Sequence, residues 1–406
     1  MNRQLKILHI GPVKISNAKS DANSEFEIMP GLGVDGPSRS VLGLARGLAE
    51  AGVETAVLPT KPSVIPENGE SRGIRFITPY TGRKHNPFIP TGEWLERIEE
   101  KFGRPDLVNF HDVYDLFSCA MASAMHRKGW KYIVTPRGGL RKFAQKRERW
   151  KKIVANSLFF NRYLRHAELI NALAPLEAED IVAFDQKLKT VVVPNGLPKE
   201  FLSFCKVLPP VEGKIPGEKV VGFLGQIFVE IKGIDRMLEA IRLLQQRGEG
   251  KNLKFVFVGP MQKVEDRQWV ERLQAALPHP DRVCFVGPKY GKEKWEVLNS
   301  FDIFVLPSRT EGMPVVALEA MACGKPCLFS RGSNMAQMIE EAQGGWGCEG
   351  DPESLYQKLV AIASTPGERL KEQGHRAQNY IASHLTWDIV VKDYIKMANG
   401  ILRKER

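Results

Sequence analysis

The chain has 406 residues, of which 43% are apolar and 26% are charged, and its formal net charge at pH 7 is +11. The length predicts two or three domains, each with its own core, and the composition is that of a soluble globular protein. No apolar run approaches the roughly 20 residues that a membrane-spanning helix requires. The positive charge is unusual for an enzyme of small neutral metabolites and is compatible with nucleic acid, an anionic membrane or phosphorylated substrates.

The first half of the chain alternates short strands with helical segments. A long polar loop, residues 23–40, follows the first strand, and the helix after it ends at Gly52. A basic helical stretch follows the run "KYIVTP". The runs that predict strands are residues 5–10, 54–59, 107–111, 131–136 and 190–197.

The alternation restarts after a segment rich in Pro, Gly and Lys, residues 203–218, which is typical of a linker. Each later strand is again followed by a helical segment. The predicted strands are residues 219–225, 253–259, 282–287, 301–308 and 325–330.

Near-continuous apolar strands that alternate with helices predict an α/β chain with two doubly wound parallel sheets, that is, two Rossmann-like domains facing a cleft. We expect an N-terminal domain over residues 1–202, the linker over 203–218 and a C-terminal domain over 219–384. No strand follows the helix at 385–406, which we expect to pack back on the N-terminal domain.

The six cysteines are scattered and lie mostly in apolar contexts. Cys323 and Cys327 have no second cysteine or histidine cluster nearby to complete a zinc site. We therefore expect reduced, structural thiols, as in a cytoplasmic protein. The chain runs from its N-terminus directly into a strand without a signal-peptide pattern, which agrees with that location.

The loop after strand 219–225 contains a candidate anion clamp. Gly225 permits close approach of the backbone, and Lys232-Gly233 directly precedes a helix. A lysine beside the free N–H groups of a helix N-terminus favours a phosphate, although a surface loop lysine would have the same local sequence.

The loop after strand 301–308 contains two carboxylates, Glu311 and Glu319, eight positions apart. Pro314 suits the first turn of a helix, which places Glu311 in the loop and Glu319 inside an apolar helix. Gly312 and Met313 would offer backbone N–H groups at the same edge. A buried carboxylate needs a partner or a ligand, and Glu319 could accept hydrogen bonds from a ribose diol.

These features resemble the GT-B-fold glycosyltransferases of family 4, which transfer a sugar from a nucleotide donor with retention. The matching residues are "EGMPVVALEAMACGKP", Lys232-Gly233, "VPNGL" and the glycine loop "GLGVDGPSRSV". The resemblance covers nearly the whole chain and is most specific in the two-glutamate motif. It is closest to the branch that builds exopolysaccharide or lipid-linked oligosaccharides, because "TPRGGL" is followed by a basic helix.

The resemblance implies roles for individual residues. Glu319 would bind the donor ribose, Glu311 the donor sugar, and Lys232 the diphosphate, with the amides of Gly312 and Met313 beside it. Gly36 would let the backbone approach the β-phosphate and sugar. The remaining donor-binding residues are Gly225, Gln226 and Pro314.

The sequence departs from the family pattern at two positions. Gln226 replaces an arginine that usually assists the phosphate lysine. The loss of this charge weakens diphosphate binding, or another residue supplies the missing charge. Arg137 stands where a histidine often faces the donor sugar, and it either replaces that histidine, contacts an acceptor phosphate or has a structural role.

His111, at the end of a predicted strand, is either a substrate contact or a histidine whose hydrogen bonds are satisfied within the protein. Lys232, Glu311, Arg137 and His111 are thus the candidate catalytic residues.

The resemblance implies front-face attack and departure of a nucleoside diphosphate, so that stabilising the phosphates is the main catalytic task. The chain contains no Asp-x-Asp motif. We therefore expect no metal and no cofactor, with positive side chains and helix dipoles doing the work of a metal.

The segment 141–160 has seven basic residues against Glu148, and its apolar stripe contains Phe143, Trp150, Val154 and Leu158. This pattern favours a helix on an anionic bilayer or against a pyrophosphate-linked lipid. The alternative is that the stripe packs on its own domain and the charges are solvated. The candidate acceptor or membrane contacts are Arg141, Lys142, Lys146, Arg147, Trp150, Lys151 and Lys152.

The prediction is a retaining, metal-independent hexosyltransferase that uses a nucleotide sugar and a saccharide or lipid-linked acceptor, in the cytoplasm or at the inner face of the membrane. The alternative is a nucleotide-sugar-binding protein without transferase activity. Nucleic acid is not an expected partner, because no recognition motif accompanies the positive charge. The run "LHIGPVK" lacks the glycine fingerprint of nicotinamide enzymes.

Overall fold

A computed structural model describes residues 4–14, 35–61, 70–77, 91–206 and 216–403. These residues form two compact units, one of which takes in the chain up to Pro198 together with the segment from Leu385 onward, while the other comprises Lys199–His384. Residues 15–34, which include the first four residues of the glycine loop "GLGVDGPSRSV", and the middle of the predicted linker, 207–215, lie outside the described residues.

The first unit is built on an eight-stranded sheet with the order β3-β4-β2-β1-β5-β6-β7-β8. Its pairs are parallel except for the short antiparallel pair β3–β4. The strands are β1 (Lys6–Gly11), β2 (Glu54–Pro59), β3 (Glu70–Ser71), β4 (Ile74–Phe76), β5 (Leu107–His111), β6 (Tyr132–Thr135), β7 (Ile170–Ala172) and β8 (Thr190–Val192).

Both faces of this sheet are covered, as its near-continuous apolar strands require. Along β1, Ile7 contributes to one apolar cluster, while Leu8 and Ile10 contribute to the cluster on the opposite face. The helices that follow the strands are α1 (Gly36–Glu50), α2 (Thr91–Phe102), α3 (Leu116–Arg127), α4 (Lys142–Lys146), α5 (Arg149–Ala155), α6 (Asn161–Arg165) and α7 (Pro175–Phe184), with a π-helical turn (Asn156–Phe160) between α5 and α6.

The second unit has a six-stranded parallel sheet with the order β11-β10-β9-β12-β13-β14. The strands are β9 (Lys219–Leu224), β10 (Leu253–Val258), β11 (Val283–Gly287), β12 (Ile303–Leu306), β13 (Cys327–Ser330) and β14 (Gly345–Cys348). The helices are α8 (Glu200–Lys206), α9 (Val229–Lys232), α10 (Ile234–Gln246), α11 (Val264–Ala275), α12 (Gly291–Ser300), α13 (Val315–Ala322), α14 (Ala336–Glu341), α15 (Pro352–Ser364) and α16 (Gly367–His384). The predicted class, an α/β chain with two doubly wound sheets, is confirmed.

The last helix, α17 (Trp387–Arg403), belongs to the first unit. Trp387 packs against Gly43 and Gly47, which lie one turn apart on α1, and a Cβ atom at Gly43 would collide with the indole. The chain enters this helix through a parallel bridge between Leu197 and Thr386. Two glycines one turn apart thus create the flat surface that receives the tryptophan.

A disulfide joins Cys205 on α8 with Cys323, which follows α13. The expectation that every cysteine is a reduced thiol is therefore wrong for this pair. Spacing along the chain could not reveal it, because 118 positions separate two cysteines whose Cα atoms lie 4.9 Å apart.

Candidate functional site

In each unit the strand order reverses at a pair of central strands, and the loops after these strands meet at the carboxyl edge of the sheet. The pair is β9 and β12 in the second unit and β1 and β5 in the first. Such a switch point is where ligands bind in open α/β sheets. Of the predicted residues, those for donor binding lie in or just after the loops that follow β9, β12 and β1, whereas His111 ends β5 and Arg137 follows β6.

In the second unit the structure brings the candidate phosphate lysine and the first glutamate of the motif together. Lys232 Nζ lies 2.6 Å from Glu311 Oε1, and the Ser308 hydroxyl donates to the same oxygen at 2.8 Å. Both members of this ion pair are largely shielded from solvent. The carboxylate thus holds the ammonium at the end of α9, beside the loop after β12.

Arg309 connects the two loops that carry this pair. Its guanidinium contacts both carboxylate oxygens of Asp235, at 2.7 and 2.6 Å, and donates to the Glu230 carbonyl at 2.6 Å. Its backbone N–H donates to Ile231 O at 2.8 Å. Between these contacts Gly233 adopts a left-handed conformation, and a side chain there would collide with the Pro307 carbonyl. A bidentate arginine–carboxylate contact fixes geometry as well as charge.

The second glutamate of the motif has a partner that sequence reasoning missed. Glu319 is fully buried on α13, and its Oε2 accepts from Lys294 Nζ on α12 at 2.7 Å. The ammonium also lies 4.2 Å from the centre of the Trp295 ring. The only sequence signal was a lysine in the helix directly before the strand that precedes Glu319, and this signal does not distinguish Lys294 from Lys292.

The remaining predicted donor residues surround the same edge. Met313 is buried, and Pro314 lies directly before the first residue of α13. Gly225 follows β9, and a Cβ atom at Gly259 would collide with the Gly225 carbonyl, so the loops after β9 and β10 are in close contact. The Gln226 amide donates to Gln262 at 3.0 Å, across the same two loops. Gln226 thus interacts with the neighbouring loop in this structure.

In the first unit His111 and Arg137 form a buried polar chain with His9, a residue that sequence reasoning did not select. Arg137 Nη2 lies 3.0 Å from His111 Nδ1, and His111 Nε2 lies 3.0 Å from His9 Nδ1. Because a guanidinium only donates, the geometry assigns the His111 proton to Nε2 and makes His9 Nδ1 an acceptor. Arg137 Nη1 also donates to Ser40 Oγ at 2.8 Å.

The electrostatics of this chain keep both histidines neutral. Burial, followed by the charge of Arg137, lowers the pKa of His9 to about 3 and holds the pKa of His111 well below its ordinary value. Burial also lowers the pKa of Arg137 to about 10. The guanidinium is therefore the charged member of the chain at neutral pH.

Glu177, another residue without a sequence signal, fixes the backbone beside Arg137. Its two oxygens accept from Gly138 N at 2.5 Å and from Leu173 N at 2.7 Å, and its side chain is fully buried. Arg137 and Gly138 both have positive φ angles, 52° and 85°. An arginine seldom adopts this conformation, so the buried carboxylate stabilises a loop shape that costs conformational energy.

Gly36 is the first residue of α1, where Asp35 caps the helix by accepting from Ser38 N at 2.9 Å. Gly36 is exposed, and a Cβ atom there would meet nothing within 4 Å. Its backbone is therefore open to approach, although most of the glycine loop before it lies outside the described residues.

The basic segment after β6 is a series of short helices with an exposed apolar surface. Trp150 is 68% exposed and Leu158 64%, and Ile153, Val154 and Phe159 are exposed as well. Several of the predicted contacts have partners within the unit. Arg141 is buried with Nε 2.7 Å from Asp180, and the Lys152 ammonium donates to the Ala144 carbonyl. Lys142 Nζ lies 3.6 Å from Asp180 and Lys151 Nζ lies 3.0 Å from Glu148. The predicted basic contacts whose side chains stay exposed are Lys142, Lys146, Arg147 and Lys151.

None of the helices in the described part of the chain is both long and apolar enough to cross a membrane. Within the same residues, no group of three or more histidine, cysteine, aspartate or glutamate side chains is arranged to hold a metal ion.

Two family models match consecutive parts of the chain. The model described as Glycosyltransferase Family 4 matches residues 34–201, and the model described as Glycosyl transferases group 1 matches residues 207–380. Together they span both units and include all the predicted site residues.

Curated relatives and solved structures agree with these matches. The chain is 27% identical over 221 residues to a D-inositol 3-phosphate glycosyltransferase of Stackebrandtia nassauensis, over 53% of this chain and 49% of the relative. It is 33% identical over 144 residues to an amylovoran biosynthesis glycosyltransferase of Erwinia amylovora, over 33% of each chain. The chain thus matches half or less of the length of these relatives.

Among solved structures, HepE of Anabaena in complex with UDP and glucose superimposes with a TM-score of 0.67 at 15% identity, over 98% of this chain and 100% of that chain. Sucrose-phosphate synthase of Thermosynechococcus elongatus gives 0.66 at 19% identity, over 98% and 99%. At such identities the likeness establishes the fold alone. From the two family models and this fold, the chain belongs to the group 1 glycosyltransferases of family 4 and has the GT-B fold.

Proposed function

We propose that this protein transfers a hexose from a nucleotide-diphosphate sugar to a saccharide or lipid-linked acceptor, with retention of configuration and without a metal. The observation that supports this most directly is the Lys232–Glu311 pair, in which Lys232 ends α9 and Glu311 lies in the loop before α13. An ammonium, a carboxylate and a helix N-terminus together offer contacts for both the diphosphate and the sugar hydroxyls of one donor.

In the proposed reaction, Lys232 and the amides of Gly312 and Met313 stabilise the charge that develops on the departing diphosphate. The bond between C1 of the sugar and the phosphate oxygen breaks, and a bond from C1 to the acceptor oxygen forms on the same face. The acceptor hydroxyl proton passes to the leaving phosphate. Preorganised positive groups lower the barrier because they need no reorganisation when the charge appears.

Glu311 is proposed to accept from the sugar hydroxyls and Glu319 from the ribose. The pairing of Glu319 with Lys294 supports a fixed, ionised acceptor, since a buried carboxylate without a partner would favour its neutral form. In the first unit, Arg137 is proposed to act beside His111, which stays neutral next to the guanidinium.

A binding protein without transferase activity is the second candidate, and Gln226 is the observation that favours it. The amide brings no positive charge to the diphosphate and is hydrogen-bonded to Gln262. A weakened clamp would bind a donor and turn it over slowly or not at all.

The experiment that separates these candidates is a screen of nucleotide sugars with the purified full chain. Thermal stabilisation reports donor binding, and release of the nucleoside diphosphate, with and without lipid-linked and saccharide acceptors, reports turnover. Acceptor-dependent release supports the transferase. If a donor stabilises the protein but no nucleoside diphosphate is released with any acceptor, the result would support the binding protein.

We also propose that the helices over 142–160 contact an anionic membrane or the phosphate of a lipid-linked acceptor, which would place the protein at the inner face of the membrane. Exposed apolar side chains beside basic ones support this. The product would then be an exopolysaccharide or another cell-surface glycan or glycolipid.

A further inference from the structure

Asn334, a residue outside the two-glutamate motif, holds the backbone of the loop that carries Glu311 and Gly312. Asn334 Nδ2 donates to Glu311 O at 2.8 Å and to Gly312 O at 2.6 Å. Asn334 follows a short turn after β13 and is only 7% exposed. Because both acceptors are carbonyls, the amide nitrogen must be the group that faces them.

These two hydrogen bonds determine where the next two amides point. In a trans peptide the C=O of one residue and the N–H of the next point in opposite directions. With both carbonyls directed at Asn334, the N–H groups of Gly312 and Met313 are directed away from it. These are the two amides that the proposed function assigns to the donor diphosphate.

The position of Asn334 is itself fixed. Its φ angle is +63°, a left-handed conformation that asparagine tolerates better than most residues. The neighbouring backbone pairs with the same loop, because Glu311 N donates to Gly332 O at 3.0 Å. Ser333 Oγ donates to Ser330 O at 2.6 Å and accepts from Met335 N at 3.2 Å, which stabilises the turn.

We propose that Asn334 is a positioning residue for diphosphate binding: by holding the Glu311 and Gly312 carbonyls, it directs the Gly312 and Met313 amides toward the phosphates. Asn334 does not touch the donor in this proposal and acts only through the loop. The inference rests on the proposed function, since it assumes that the chain binds a nucleoside diphosphate at this loop.

The test is the substitution Asn334→Gly. Glycine adopts the left-handed conformation without strain, so the variant removes the two hydrogen bonds and leaves the backbone its native shape. The matched control is Gln343→Gly, because Gln343 has a φ angle of +50° and lies in the same unit, before β14 at the opposite edge of the sheet. Both variants and the wild type are compared by thermal melting and calorimetry.

The probes are UDP, GDP, ADP, CDP and dTDP, followed by the free nucleoside of whichever diphosphate binds the wild type most tightly. We expect Asn334→Gly to weaken diphosphate binding about tenfold, as the loss of aligned donors to a charged group implies, and to change nucleoside binding less than about twofold. Gln343→Gly should change neither affinity.

The outcomes separate this inference from the proposed function. If the wild type binds none of the diphosphates, the proposed function fails and the inference with it. If the wild type binds but Asn334→Gly binds equally well, or loses diphosphate and nucleoside affinity in equal measure, the inference alone is overturned. Unfolding of Asn334→Gly but not of Gln343→Gly would also overturn it, because the side chain would then serve the fold.

Discussion

Lys294 Nζ lies 2.7 Å from Glu319 Oε2, and this contact explains how a carboxylate occupies the middle of an apolar helix. Glu319 is fully buried, whereas Lys294 keeps a small exposed fraction. Breaking such a pair leaves a buried charge without compensation, which is much more costly than breaking an ion pair on the surface.

We therefore expect Lys294→Met to lower the free energy of unfolding of the second unit by about 3 kcal/mol. Methionine retains most of the volume of lysine and packs in the same space. The loss of stability would therefore come from the missing charge and not from a cavity. Urea unfolding followed by tryptophan fluorescence measures the change.

Lys292→Met is the matched control, because Lys292 lies on the same helix and its side chain is exposed in an ion pair with Glu296. Its cost should be at most about 1 kcal/mol. The double variant Lys294→Met with Glu319→Gln should recover part of the loss. Equal stability of the two single variants would contradict the assignment of a buried pair.

Lys232→Ala should reduce turnover about 30- to 1000-fold, which corresponds to about 2–4 kcal/mol of lost stabilisation of the departing diphosphate. Steady-state release of the nucleoside diphosphate measures it. Lys371→Ala is the control, since Lys371 is an exposed cation on α16 paired with Glu368. A turnover of Lys232→Ala within a few-fold of the wild type would remove Lys232 from the proposed mechanism.

The exposed basic residues of the 142–160 segment should govern binding to anionic vesicles. Each contributes about 1 kcal/mol near such a surface, so replacing four of them by glutamine should weaken binding by at least about 100-fold. Co-sedimentation with vesicles of phosphatidylglycerol and phosphatidylcholine measures this. The four residues are Lys146, Arg147, Arg149 and Lys151.

The control for this experiment replaces four exposed basic residues of the second unit, so that net charge changes equally. Binding that falls by the same amount in both variants would indicate a general charge effect, and binding that is unchanged in both would leave the segment without a membrane role. The control residues are Arg247, Arg369, Lys371 and Arg376.

Reduction should destabilise the second unit, because the Cys205–Cys323 disulfide connects α8 with the end of α13. We expect its loss to cost about 2–4 kcal/mol, seen as a lower melting temperature in the presence of a reductant. The double variant Cys205→Ser with Cys323→Ser should be insensitive to the reductant. Titration of six thiols instead of four in unreduced, denatured protein would contradict the disulfide.

The two buried histidines of the first unit should make its stability depend on pH. The pKa of His9 is lowered from 6.5 to about 3, so the unfolded chain binds more protons in this window. The free energy of unfolding therefore decreases as the pH falls from about 6.5 towards 3.

Replacing His9 by Gln should reduce the slope of this dependence by up to about 1.4 kcal/mol per pH unit between pH 6 and 4. Urea unfolding at a series of pH values gives the slope. An identical slope in wild type and variant would mean that His9 is not held neutral in the folded protein.

Local pattern was sufficient to predict the fold class and most of the strands. The prediction of strands at 107–111 and 253–259 matches β5 (Leu107–His111) and β10 (Leu253–Val258), because a strand buried on both faces is a nearly continuous apolar run. The antiparallel pair β3–β4 and the short strands β7 and β14 were not predicted, since two to four residues form no recognisable period.

The sequence by itself determined which loops carry the candidate site, since the loops after parallel strands emerge at one edge of the sheet and Lys232, Glu311 and Glu319 lie in or just after such loops. Only the tertiary structure decided what these residues contact: Lys294 for Glu319, Asn334 for the Glu311 loop and Glu177 for the loop of Arg137. Each contact joins segments more than 20 positions apart. A hydrogen bond depends on placement within a few tenths of an ångström, which the packing of whole helices and strands sets and local spacing does not encode.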